Sequence, residues 1–223
     1  MKRRLTTQRT RGLTLVEVLI SIVVVAVAAA VLIPALQPAR VPGCGRVSCV
    51  SNLKQIGLAL RMWSGDHNDR FPWSVSTNEG GTMEFAGTTQ VFRHYLALSN
   101  ELTSPKVLAC NRDASRTRAS SWSDVTNNKA HPSYFLGLTA DETRPQMILT
   151  GDRNLIINGR LVWGVTRIAS NTVLGMVPRF HTNHINVGLA DGSVQQSTVT
   201  TLQKLNGAQF ASITNQSVML GIP

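Results

Sequence analysis

Arg11-Gly12-Leu13-Thr14-Leu15-Val16-Glu17 opens the block LTLVEVLISIVVVAVAAAVLIPAL, residues 13–36, in which Glu17 is the single charged side chain. As one helix, the block would rise about 36 Å. That exceeds the roughly 30 Å hydrocarbon core of a bilayer. Five cations (Lys2, Arg3, Arg4, Arg9 and Arg11) and no acid precede it. Such a charge bias keeps the first residues cytoplasmic and sends everything after Leu36 to the other side.

The position of Glu17 separates three explanations of this block. A secretory signal peptide has a shorter apolar region and a small-x-small cleavage site on its far side. Here Ala28, Ala29 and Ala30 sit in the middle of the run. A plain anchor has no use for a carboxylate that costs about 2.5–3.5 kcal/mol at the centre of a membrane helix. Cleavage between Gly12 and Leu13 supplies a use. The freed amine of Leu13 then lies one helical turn from Glu17, and in a staggered bundle it can meet the carboxylate of a neighbouring copy. Such a buried pair sets register more than it adds stability.

Arg11 to Glu17 resembles the type III signal of prepilins and type II secretion pseudopilins, basic–Gly–Phe–Thr–Leu–Ile/Val–Glu, with Leu13 in place of the usual phenylalanine. The resemblance implies a prepilin peptidase/N-methyltransferase that cuts after Gly12 and methylates the amine of Leu13. Glu17 then serves assembly and register. It further implies partners: other pilin-like subunits in a homo- or heteropolymer, and an inner-membrane assembly platform. The expected location is the bacterial inner membrane as a single span, with the head in the periplasm and, after assembly, at the cell surface. Pro34 stands where long pilins often carry a helix-bending proline. Type IV pilus and type II secretion pseudopilus both fit.

Half of the net charge of +10 lies in the first twelve residues, leaving +5 on the other 211. Arg112, Arg116 and Arg118 are the one local basic cluster, without the aromatic interleaving of a base-stacking surface. Nucleic acid is therefore not an expected partner, and a DNA-binding minor pilin is kept as a rival reading. Cys44, Cys49 and Cys110 allow one disulfide, Cys49 with Cys110 or Cys44 with Cys49, outside the cytoplasm. No Cys/His cluster shows structural-zinc spacing.

Residues 37–50, QPARVPGCGRVSCV, carry Pro38, Pro42, Gly43 and Gly45 and predict a broken linker. Leu53, Ile56, Leu60 and Trp63 then mark one face of a helix capped by Ser51 or Asn52 and stopped by Gly65. Leu155–Ile157, Asn158-Gly159 and Arg160–Trp163 predict a two-residue hairpin. Ile185–Leu189, Asp191-Gly192 and Ser193–Gln195 predict a second, Met147–Leu149 a further strand, and Thr201–Ala211 a final helix. Residues 78–89 and 112–132 read as loops. The expected class is α+β: a long N-terminal transmembrane helix, then a pilin-like head with an antiparallel sheet packed on the Leu53–Trp63 helix. The expected division is a leader over 1–12, an assembly helix over 13–36, a linker over 37–50 and a head over 51–223.

The head also resembles a prepilin-type subfamily abundant in planctomycetes. The likeness rests on Cys49 to Leu60, on Asp66, Asn68 and Phe71-Pro72, and on Leu108 to Asp113, where Asn111 replaces a proline. It ends in His181, nine residues, and Asp191-Gly192. His181, His184 and Asp191 are the most tempting chemical set. No Gly-x-Ser-x-Gly elbow or paired carboxylate accompanies them, so a turn at Asp191-Gly192 and a backbone-bonded His181 are expected. No enzyme activity and no cofactor are expected. A membrane-anchored metal- or ligand-binding protein using His181 and Asp191 is the second rival. Asp66, Asn68 and Asp69 offer oxygens for calcium without EF-hand spacing.

Overall fold

The computed structural model describes residues 14–35, 44–127, 129–178, 181, 183–211 and 218–223. The chain divides into two compact units, Met1–Val41 and Pro42–Pro223.

The first unit contains helix α1, Leu15–Ala35. Alanine, leucine and runs of valine leave no polar face, and side chains from Leu15 to Val27 are exposed all around its circumference. The backbone stays helical through Pro34. Among the described residues no helix is long and apolar enough to cross a membrane; the apolar block over 13–36 begins and ends outside them. Thr14 and Glu17 close the start of α1 reciprocally. The Thr14 backbone N–H and hydroxyl donate to Glu17 Oε2 at 2.8 and 2.9 Å, and the Glu17 N–H donates back to Thr14 Oγ1 at 3.3 Å. This is a capping box, which satisfies two otherwise orphaned groups at the helix start.

In the second unit, helix α2 runs Cys44–Gly65, so the expected linker over 37–50 is helical from Cys44 onward. Residues 36–43 lie outside the described set. Gly45 sits in the first turn, where N–H groups have no intrahelical partner anyway. A helical glycine costs about 1 kcal/mol, which burial of Cys49, Leu53, Ile56, Leu60 and Trp63 on one face readily offsets. The expected caps Ser51 and Asn52 are interior residues of α2, and Gly65 ends it as expected.

The strands described are β1 Tyr134–Gly137, β2 Ile148–Asp152, β3 Leu155–Ile157, β4 Arg160–Leu161, β5 Gly164–Ile168, β6 Leu174–Met176, β7 Ile185–Leu189, β8 Val194–Ser197 and β9 Val218–Ile222. Short helices α3, Phe92–Leu96, and α4, Trp122–Thr126, and the longer α5, Val199–Ala211, complete the set. Six strands form an antiparallel sheet in the order β5-β9-β1-β2-β7-β8, and β4-β3-β6 form a second, smaller one. Helix α2 packs against β2, β7 and β8. The head is thus α+β with an antiparallel sheet, as expected. Helix α4 lies inside the stretch expected to be loop: Ser121 and Asp124 form a capping box there, which makes even a single turn worth forming.

Two turns shape the sheets. Asn158 and Gly159 both take positive φ, 50° and 78°, as the two-residue turn between β3 and β4 requires. At Asp191-Gly192 only Gly192 does, at 84°. The Leu189 N–H donates to the Ser193 carbonyl at 2.9 Å and the Gly192 N–H to the Leu189 carbonyl at 3.0 Å. The second hairpin therefore has a three-residue loop ending in one left-handed glycine, not the expected two-residue turn. At Gly137 in β1 an added Cβ would lie 2.0 Å from the Ile148 carbonyl oxygen, so only glycine lets β1 and β2 approach this closely.

Candidate functional site

Four segments meet beside the sheet. Cys49 comes from the second turn of α2, and Cys110 follows a 3-10 turn at Pro105–Leu108. That turn is tied down by two bonds: Asn52 Nδ2 donates to the Ala109 carbonyl at 3.2 Å and the Ser133 N–H to the Leu108 carbonyl at 2.7 Å. Cys49 and Cys110 form a disulfide with a Cα separation of 5.5 Å. It joins α2 to the loop that follows the 3-10 turn; the alternative pairing of Cys44 with Cys49 is not formed. Cys49 and Cys110 are 0% and 6% exposed.

Against the disulfide lies His181, 2% exposed, with Nε2 3.7 Å from Cys110 Sγ. On its other side, the same nitrogen is 3.5 Å from Oδ2 of Asp152, the last residue of β2. The register explains the meeting. Gly151 pairs with Val187, which brings the end of β2 to the start of β7, and the chain leading into β7 carries His181. The Asn186 backbone N–H and Nδ2 both donate to Asp152 Oδ2 at 2.8 Å. Asp152 Oδ1 is buried and has no hydrogen-bond partner among the described residues. Burial pushes the Asp152 carboxyl up to about 7; the Asn186 bonds oppose the shift and repulsion from Asp113 adds to it.

Next along the chain, Arg153 forms a buried fork on Asp113: Nε to Oδ2 at 2.7 Å and a terminal nitrogen to Oδ1 at 2.8 Å. Arg153 also bonds Ser115 Oγ. Burial disfavours the Asp113 anion, yet the Arg153 and Ser115 hydrogen bonds outweigh it and hold the carboxyl below its usual range. Two guanidiniums, of Arg116 and Arg153, lie 5.7 and 5.1 Å from the ring of Trp163. That stacking, at one side of an open cavity of about 590 Å³, has no counterpart in sequence order.

The other candidates fall apart or elsewhere. His181 and Asp191 do not meet: they flank opposite ends of β7, and five extended residues span about 17 Å. Asp191 is a turn residue. Its Oδ1 accepts from the Ser193 N–H at 2.8 Å and its carbonyl from Arg61 at 2.9 Å. Gly192 supplies the left-handed step. The His184 N–H donates to the His181 carbonyl at 3.1 Å, which fixes the loop without adding a second imidazole to the cluster. Asn68 and Asp69 take positive φ in the turn after α2. Among the described residues, the one group of His, Cys, Asp or Glu with three ligand atoms mutually within 4.8 Å is Cys49, Cys110 and His181. Asp66 and Asp69 form no such group.

In the first unit, Gly12 and Leu13 lie outside the described residues. Glu17 is held by Thr14, a partner sequence reasoning missed although Thr14-Leu15-Val16-Glu17 spells a capping box. Asp152 was missed as well, because nothing near it in sequence marks it as the partner of His181.

No curated protein and no solved structure matches the chain. Residues 7–33 match the prokaryotic N-terminal methylation motif. That stretch contains Gly12, Leu13, Thr14 and Glu17, so the chain carries a prepilin-type signal of the kind found on pilin and pseudopilin subunits.

Proposed function

We propose that this chain is a non-enzymatic subunit of a type IV pilus-like or type II secretion pseudopilus-like filament. Prepilin peptidase cuts after Gly12 and methylates the Leu13 amine. The block over 13–36 is held in the cytoplasmic membrane as a single span until the subunit is drawn into a homo- or heteropolymer. The observation that carries the reading is the methylation motif over 7–33, with Glu17 at its fixed place in it.

The first unit supports this reading physically. A helix apolar on every side has no solvent-facing surface and needs lipid or other helices around it. Exchanging lipid contacts for helix contacts exposes little apolar area to water. Before assembly, Thr14 occupies the Glu17 carboxylate. The methylated amine of a neighbouring copy then takes over as partner and fixes the stagger. The disulfide of the second unit supports placing the head outside the cytoplasm.

Mass spectrometry of the N-terminal peptide from native membranes tests the proposal. The expected peptide starts with N-methyl-leucine at Leu13. A mature chain that keeps its arginine-rich leader overturns the reading. Crosslinking in intact membranes then tests assembly: higher-order species should be present in the parent and lost in Glu17→Ala.

A further inference from the structure

We infer that Cys49, Cys110, His181 and Asp152 form a zinc site in the chain's reduced state, and that the disulfide and the zinc site are alternative states of one cluster.

The donor set is two thiolates, an imidazole and a carboxylate, the kind of N, S and O ligands that tetrahedral zinc takes. At bond lengths of about 2.3 Å to sulfur and 2.0–2.2 Å to nitrogen and oxygen, a tetrahedral ion holds a sulfur and a nitrogen about 3.5 Å apart. It holds a nitrogen and an oxygen about 3.4 Å apart. His181 Nε2 already stands 3.7 Å from Cys110 Sγ and 3.5 Å from Asp152 Oδ2. The contact to sulfur has the length of a hydrogen bond to sulfur and the contact to oxygen is longer than a good one; both match edges of such a tetrahedron. Four edges remain. Cys49 Sγ lies within 4.8 Å of a His181 ring nitrogen. The sulfur–sulfur edge opens on reduction, from about 2.05 Å in a disulfide to about 3.8 Å around zinc, a movement within reach of side-chain rotation. Asp152 is not within 4.8 Å of both sulfurs and closes its two edges to them by swinging toward the ion.

Asp152 is the independent sign of a cation. Its Oδ2, the atom beside His181, already accepts both Asn186 bonds, while buried Oδ1 has no hydrogen-bond partner among the described residues. One oxygen is thus held by Asn186 and the other is open to a cation once the carboxylate turns toward the sulfurs. A buried carboxylate oxygen without a donor is costly unless something positive arrives. The Asn186 bonds are the outer contacts that metal-binding carboxylates usually have.

The chemistry balances. Two thiols bind zinc as thiolates and release two protons. A disulfide oxidant of the exporting compartment later takes two electrons, forms the Cys49–Cys110 bond, leaves as two thiols with two protons taken up, and frees Zn²⁺. Zinc thus staples α2 to the Cys110 loop before oxidation makes the staple covalent. The inference does not depend on the filament reading.

The test uses the full chain in detergent, either reduced with a phosphine in denaturant and refolded under nitrogen or left oxidised, and titrated with Zn²⁺ alone. The expected result is one zinc per reduced chain and none per oxidised chain, with thiolate-to-metal charge transfer when Co²⁺ replaces zinc. His181→Ala and Asp152→Asn should each weaken zinc binding at least 10-fold, on the scale of lost supporting contacts at metal sites. Circular dichroism checks that each variant is folded, and Asp152→Asn preserves shape should His181→Ala fail to fold. A reduced chain that holds no more zinc than the oxidised one overturns the inference. So does unchanged affinity in both folded variants.

Discussion

Reducing the Cys49–Cys110 bond, with zinc removed by a chelator, should cost the head about 4 kcal/mol. The bridge spans 61 residues. The loop-closure entropy of the unfolded chain, about 2.1 + 1.5R ln n cal/mol/K, then amounts to about 4 kcal/mol at 25 °C for a loop of this length. No side chain is deleted, so there is no cavity contribution, and the effect comes from the greater freedom of the reduced unfolded chain. Both sulfurs are buried; reduction therefore has to be done in denaturant and followed by refolding without oxygen. Urea unfolding followed by tryptophan fluorescence reads the difference. For a unit of this size, about 4 kcal/mol corresponds to a fall of roughly 8–16 °C in melting temperature. A verified reduced sample within about 1 kcal/mol of the oxidised one would refute the assignment of this bond as the tie between α2 and the Cys110 loop. Restoring zinc should recover part of the loss, which links the measurement to the two-state cluster.

Two further outcomes follow from buried charge and buried imidazole. Asp113→Asn keeps the shape of the side chain but leaves the Arg153 guanidinium buried without its anion. It should cost about 3–5 kcal/mol, measured by urea unfolding, and the double variant with Arg153→Met should recover much of that; no recovery would mean that packing, not charge, decides the site. His94 is fully buried beside Thr82 and edge-on to Trp73, and burial drives its imidazole down to about 4. In the unfolded chain it titrates near about 6.5. The unfolded state therefore binds the extra proton first. The neutral His94 contributes about 3 kcal/mol above about pH 6.5, and this is lost as the pH falls toward about 4. The stability gap between the parent and His94→Gln should shrink over that window. A gap that stays constant from pH 7 to 4 would remove His94 from the acid response.

The elements legible in the sequence are those whose cause is local. Asn158-Gly159 needs only its own two residues to take positive φ, and Leu53, Ile56, Leu60 and Trp63 mark their face by spacing alone. The seven residues at the start of α2 were not legible, because Gly43 and Gly45 argue locally against helix. What overrides them is tertiary: Cys49 is buried and bonded to a residue 61 positions away. The same holds for β9, a short buried run that lies between β1 and β5 in the sheet. Its neighbours are set by long-range pairing, of which Val218 to Ile222 carry no sign.

The cluster shows most plainly why proximity in sequence misleads about chemistry. His181 and Asp191 stand ten positions apart and read as a pair, yet the extended strand between them forces them to opposite ends of β7. Asp152, twenty-nine positions before His181, is its neighbour because an antiparallel register folds the end of β2 onto the start of β7. An extended strand carries its flanking residues apart by about 3.3 Å per residue, whereas strand pairing brings distant residues within about 5 Å. In an antiparallel head, then, partners for a histidine at a strand's entrance belong at the exit of the paired strand. Asp152 meets that rule, with its Oδ1 unpartnered among the described residues and its Oδ2 held by Asn186. The proposed zinc site accordingly rests on His181, Asp152 and the two cysteines, and Asp191→Asn should leave zinc affinity at the parental value while Asp152→Asn lowers it.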